Sequence, residues 1–123
     1  MITTPDGVPF IGGNMDAYDE AAARTAIYPG SGTGSLGATV YAVCGLAGEA
    51  GEISGKLKKF MRGDLNPDQV AEAIVAECGD VLWYLSRVLA EFGSNLSECA
   101  QGNINKLASR SQRGVLMGDG DNR

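Results

Sequence analysis

The chain contains no histidine. That absence removes Ser-His and Cys-His nucleophile pairs, HExxH zinc sites and the ExxH motif of di-iron helical bundles. No apolar run approaches the roughly 20 residues needed to cross a bilayer. Positive charge is in deficit: 10 Lys and Arg stand against 15 Asp and Glu, a net charge of −5. Such a balance argues against non-specific binding to nucleic acid or to an anionic membrane. Cysteine is scarce and odd in number, with Cys44, Cys78 and Cys99 in helix-like segments and no CxxC. These are expected to be buried, reduced thiols of a cytoplasmic protein. The opening MITTPDGVPF lacks the basic start and apolar stretch of a signal peptide. Strand signals and internal repeats are missing as well.

What is present fits one all-α domain with a modest core, 123 residues long and 44% hydrophobic. Residues 1–14, rich in Thr, Pro and Gly, read as a flexible N-terminal arm. A helical domain is expected over 15–113 and a Gly-rich tail over 114–123. A first helix is predicted over Met15–Ile27, stopped by Pro29, and PGSGTGSLG (29–37) reads as a flexible loop. The loop is not a phosphate-binding Walker A element, because no Lys-Ser/Thr follows its glycines. The second helix is predicted from Leu36 to Met61. Val40, Val43, Ala47, Ala50, Ile53, Leu57 and Phe60 form its apolar side. The third runs from Asp68, just after Pro67, to Phe92. Val70, Ile74, Val81, Leu85, Val88, Leu89 and Phe92 form its apolar side. Gly93 stops it, and Ser94 is the expected N-cap of a fourth helix to about Arg110. Short connections favour an antiparallel bundle of about four helices.

Two pairs of acids interrupt the apolar helices. Glu49 and Glu52 stand three apart in GLAGEAGEIS, and Glu77 and Asp80 three apart in AIVAECGDVLWYL. Residues three apart share a helix face, so two packed helices can bring all four carboxylates into one small volume. Crowded carboxylates resist ionisation, and a hard cation such as Mg2+ relieves them. One ExxE on a surface helix is ordinarily solvated, and Glu52 with Lys56 also forms a common i,i+4 surface pair. Two acid pairs in adjacent apolar helices are a stronger signal.

Steps of three and four extend the acidic stripes. The second helix gives Glu49, Glu52, Lys56 and Lys59; the third gives Glu77, Asp80, Tyr84 and Arg87; the fourth gives Asn103, Lys106 and Arg110, then Arg113. Cations flanking a metal site suit a polyphosphate. Gly45, Gly48, Gly51 and Gly79 flank the acids, which suggests close approach of a backbone or ligand. Trp83 is expected to pack, whereas Tyr84 lies on the acidic stripe and can reach a substrate.

These motifs resemble the MazG family of all-α nucleoside triphosphate pyrophosphohydrolases, in particular its small, single-domain, phage-type members. The ExxE–spacer–ExxD signature reads Glu49-Ala-Gly-Glu52, then 24 residues, then Glu77-Cys-Gly-Asp80. DAYDEAAARTAIYP (16–29) and NINKLASR (103–110) resemble the family's first helix and its later Asn/Lys/Arg element. The resemblance implies Mg2+-dependent (or Mn2+-dependent) cleavage of a nucleoside triphosphate, most often a dNTP, to monophosphate and pyrophosphate, serving nucleotide-pool house-cleaning. It implies Glu49, Glu52, Glu77 and Asp80 as metal ligands, with Glu49 or Glu52 also orienting or deprotonating water. Asn103 (or Asn105) and Lys106 would contact phosphate or sugar, with Tyr84, Lys56, Lys59, Arg110 and Arg113 as further substrate contacts. It also implies a homo-oligomer, a dimer or a dimer-of-dimers tetramer, in which the Gly-rich loop or the tail of one subunit closes the site of another. The competing reading is a non-catalytic helical oligomer that binds metal or nucleotide for regulation.

Overall fold

The computed structural model describes residues 4–123, so the first residues of the N-terminal arm lie outside the described part. Its regular elements are helices: α1 (Met15–Thr25), α2 (Leu36–Met61), α3 (Pro67–Glu91) and α4 (Leu96–Gln112). Each begins on a side chain that satisfies an otherwise orphaned amide. Asn14 accepts from the Ala17 amide, Ser35 from Ala38, Asn66 from Gln69 and Asn95 from Glu98. At α3 the cap is reciprocal, because the Gln69 side chain returns a bond to the Asn66 amide and Pro67 occupies the first turn.

Several predicted ends shift: α3 runs from Pro67 to Glu91 rather than from Asp68 to Phe92, and α4 continues to Gln112. α1 stops at Thr25, two residues before Ile27, and Asn95 rather than Ser94 caps α4. Ser94 is committed elsewhere: its amide donates to the Leu89 carbonyl and that of Gly93 to Ala90. This is the Schellman closure of α3, and it needs the φ of +73° that Gly93 supplies.

α2 and α3 pack antiparallel over most of their length, and this is the dominant helix pair. Ala38 and Ala42 are fully buried on α2, and among the described residues Ser86 is the largest side chain with no accessible surface. Such small residues permit close approach but bury little apolar area.

A run of buried polar groups links the other elements to α3. Glu91, only 6% exposed, accepts from Tyr28 Oη at 2.5 Å, from the Gly32 amide at 2.9 Å and from the Gly34 amide at 3.0 Å. One turn back, the Arg87 guanidinium lies 3.6 Å from Asp19 on α1 and donates to the Asp19 carbonyl at 3.2 Å. Asp19 in turn accepts from the Leu96 amide at the start of α4, where the helix dipole favours an anion. Trp83 Nε1 donates to Thr25 Oγ1 at 2.8 Å, and Ser97 donates to Asp16 at 2.6 Å. The expected flexible loop 29–37 is therefore pinned. Its glycines serve turns: Gly30, Gly32 and Gly34 all have positive φ. A Cβ on Gly34 would also press on the Glu91 carbonyl at 3.1 Å.

The predicted apolar side of α2 does not face this core. Val40, Val43, Ala47, Ala50, Leu57 and Phe60 are exposed; the inward face carries Ala38, Ala42, Gly45, Leu46, Glu49, Ile53 and Lys56. Val75 and Leu82 on α3, Phe92 just after it, and Ile104 and Leu107 on α4 are exposed as well. The three cysteines are free, as expected, but exposed rather than buried, because the surfaces around them are uncovered.

Burial alone would raise the Glu91 pKa. The bonds from Tyr28, Gly32 and Gly34 and the Arg87 charge outweigh it and hold the carboxyl below its ordinary value. A depressed carboxyl adds stability above its unfolded pKa and loses it as pH falls through the folded value. Glu91→Gln is therefore expected to cost about 1.5–3 kcal/mol at pH 7, the range for hydrogen bonds to a charged group. The gap from the parent chain should shrink below about pH 4, as read by denaturant unfolding at each pH.

Candidate metal centre

The antiparallel register of α2 on α3 can be followed by side chains. The Tyr84 ring fills the space that a Cβ on Gly45 would occupy. Further along, Glu49 meets Glu77 and Asp80, and Lys56 Nζ lies 3.9 Å from Glu77. Glu49, Glu77 and Asp80 each offer one carboxylate oxygen, all within 4.8 Å of one another. Glu49 and Glu77 are half-buried and Asp80 is exposed, so the cluster opens to solvent.

Glu52 does not join these three. A three-residue step on an α-helix rotates a side chain about 60° from its partner, which carries Glu52 onto the exposed shoulder of α2. Its charge nevertheless bears on Glu49. The Glu49 pKa is raised, first by a hydrogen bond shared with Glu77, then by desolvation and by the charges of Asp80, Glu77 and Glu52. Mutual repulsion is thus written into the site, as the spacing led one to expect.

Tyr84 sits at the upper edge of the cluster. Its pKa is raised by desolvation, by a hydrogen bond with Tyr41 and by the charges of Tyr41, Glu49 and Asp80. Trp83 packs edge-on against Tyr28 and Tyr84, with ring centroids 6.4 and 4.9 Å away. Beside Trp83, an apolar pocket of about 330 Å3 is lined by Tyr18, Ala21, Ala22 and Thr25 and walled by Pro9 and Ile11 of the arm. Of the flanking glycines, only Gly45 meets a neighbour; Gly48, Gly51 and Gly79 face open space.

The remaining sequence candidates are scattered. Lys56 joins the centre, while Lys59 is exposed further along α2. Asn103 and Lys106 are exposed on α4, which makes no contact with α2. Arg110 is buried and Arg113 is bonded to the C-terminal residue, both engaged by the tail rather than by the acids. Arg87, expected on the acidic stripe of α3, is instead buried and turned to Asp19 on α1. Glu91 and Asp19, which with it position the helices carrying the acids, carry no local sequence signal, since their partners lie far away in the chain. Only the helical spacing of Arg87 and Glu91 hints that they share a face.

The chain is 43% identical to the Gene 37 protein of Mycobacterium phage L5 over 113 residues, which is 89% of this chain and 99% of the phage protein. That name specifies no activity. No protein-family model and no solved structure matches the chain.

Two outcomes are expected. Gly45→Ala, favourable by helix propensity alone, should instead destabilise by about 1–3 kcal/mol because Tyr84 must move; thermal unfolding reads this directly. Glu49 behaves oppositely. A carboxyl with a raised folded pKa subtracts stability once ionised. Glu49→Gln should therefore raise the melting temperature of the metal-free protein at pH 7, while abolishing any further rise on adding Mg2+.

Proposed function

The chain belongs to the family of the phage L5 Gene 37 protein, and from its paired-acid motif and the acidic centre we propose that it is a MazG-like, Mg2+-dependent nucleoside triphosphate pyrophosphohydrolase. The observation that carries this reading is the convergence of Glu49, Glu77 and Asp80 from two antiparallel helices, with Lys56 at its rim. The donor set fits a hard divalent cation: three carboxylate oxygens lie close together, and the raised Glu49 pKa marks charge that a cation would relieve. Glu49, Glu77 and Asp80 would hold Mg2+ (or Mn2+), which supplies Lewis-acid polarisation of the phosphate when bound.

The chain's own groups divide the remaining work. Glu52, on the exposed shoulder of α2 beside the cluster and close enough for its charge to bear on Glu49, would take the proton from the attacking water. The water oxygen bonds to the α-phosphorus, and the bridging oxygen departs with pyrophosphate, leaving the nucleoside monophosphate. Lys56 is placed to attract phosphate oxygens. Tyr84 lines the edge where sugar or base would lie.

The same reading makes the protein a homo-oligomer, a dimer or a pair of dimers. Two features support it. The apolar stripe Val40, Val43, Leu57 and Phe60 is uncovered. Asn103 and Lys106, the expected phosphate contacts, stand away from the acids of their own chain, so in this reading a second copy would bring the two together. The uncovered stripe by itself would equally suit a helical oligomer without catalysis, the second reading.

Incubation with each dNTP and NTP, with and without Mg2+, separates the two. Monophosphate and pyrophosphate should appear only with Mg2+, and Glu52→Gln should lower turnover at least about 100-fold, the scale of a lost general base. Orthophosphate as product would overturn the α–β cleavage. No turnover from a protein that still binds Mg2+ would favour the non-catalytic oligomer. Light scattering should give a mass of two or four chains.

A further inference from the structure

Beyond Leu96, α4 is almost wholly exposed, and Arg110 is the one other buried residue on it. The segment that covers Arg110 is the chain's own tail. The helix closes at Gly114, with the Val115 amide on the Arg110 carbonyl at 2.8 Å. The chain then curls back so that Arg110 Nη2 donates to the carbonyls of Asp121 at 3.0 Å and Gly120 at 3.4 Å. Arg113 Nη2 donates to the Arg123 backbone oxygen at 2.8 Å. Arg123 fastens the curl from within, donating to the carbonyls of Val115 at 3.1 Å, Gly120 at 2.6 Å and Leu116 at 3.1 Å. The Asp121 carboxylate lies 4.0 Å from Lys106 Nζ and 3.9 Å from Arg110 Nη2.

Lys106, Arg110 and Arg113, one stripe of α4, are thus all turned toward oxygens of the tail. The fit is incomplete. Arg110 spends both its tail bonds on Nη2, and its Nε is buried without a partner. A buried donor left unpaired is costly. A phosphate group accepts from Nε and Nη2 side by side, in the fork geometry that guanidinium favours. The Asp121 contacts exceed hydrogen-bond length and its side chain is 93% exposed, so they are weak pairs.

We propose that residues 114–123 are an internal ligand of a polyphosphate-binding stripe formed by Lys106, Arg110 and Arg113, and that they form a latch which a nucleotide's phosphates must displace. The choice of nucleotide as competitor rests on the function proposed above; the stripe and its occupant do not. Release of the tail frees the Arg110 fork, with Lys106 and Arg113 beside it. The latch lowers apparent affinity for phosphate by the fraction of molecules in which it is closed.

The test is calorimetric titration with inorganic tripolyphosphate in the absence of divalent ions. The full chain, Arg123→Ala, Asp121→Asn and a chain ending at Arg113 would be compared. Arg123 lies outside α4, so its replacement unhooks the curl without touching the helix. Binding should tighten about two- to five-fold in Asp121→Asn, the scale of weak ion pairs, and more in Arg123→Ala and the shortened chain. Lys106→Ala should weaken it. Tripolyphosphate should also speed amide exchange across 116–123 in the full chain. Equal affinity in all tail variants, or unchanged exchange, overturns the latch. If the affinities follow the expected order while no nucleotide is hydrolysed, the latch stands and the proposed reaction falls. If nucleotides are hydrolysed with the same KM in every tail variant, the reaction stands and the latch falls.

Discussion

The carboxylate of Glu91 is the constraint on which the other elements depend. It is a buried anion, acceptable only because a phenol and two backbone amides converge on it and a guanidinium lies one turn away. The loop that wraps it leads directly into α2, so the seat of Glu91 fixes where α2 enters and which of its faces meets α3. From Arg87 the same polar run passes to Asp19 and the start of α4. A glycine-rich loop that resembles a phosphate cradle in composition thus cradles an internal carboxylate. The physics is shared: successive N–H groups form a concave anion site. Here the anion is supplied by the chain itself.

The helices were legible because their signals are local. Pro67 near one start, Pro29 and Gly93 at two stops, and apolar residues at helical spacing are read from neighbours in the chain. Ser94 misled because two motifs overlap there, and the closure of α3 has first use of its amide. The loop 29–37 was misjudged for a different reason. Its partners lie 57 to 63 residues away, and composition carries no trace of them. The same limit hid the exposure of Cys44, Cys78 and Cys99. Burial of a helix face was inferred from its apolarity, which presumes that the chain covers its own apolar surface.

Within the site, the two acid pairs were the strongest feature of the sequence, and three of the four carboxylates do converge. What spacing could not decide was the rotation of each helix about its axis. Glu49 and Lys56 are seven residues apart, nearly two full turns, and so share the inward face. Glu52 falls between them and is rotated away. The cations of α4 were legible as a stripe, but the direction in which that helix leaves the bundle is set by Asp19 and Asp16 at its first turn. Their own spacing says nothing of it.

A chain among whose described residues the largest fully buried side chain is Ser86, with Ala38 and Ala42 the most enclosed apolar ones, changes its contact with water only modestly when it comes apart. Heat-capacity increments and denaturant slopes follow newly wetted surface, apolar surface above all. For an isolated copy both quantities should fall below the norm for 123 residues. Its melting would then be broad, and its free energy would vary little with temperature. Calorimetrically, such a chain resembles part of a protein more than a whole one.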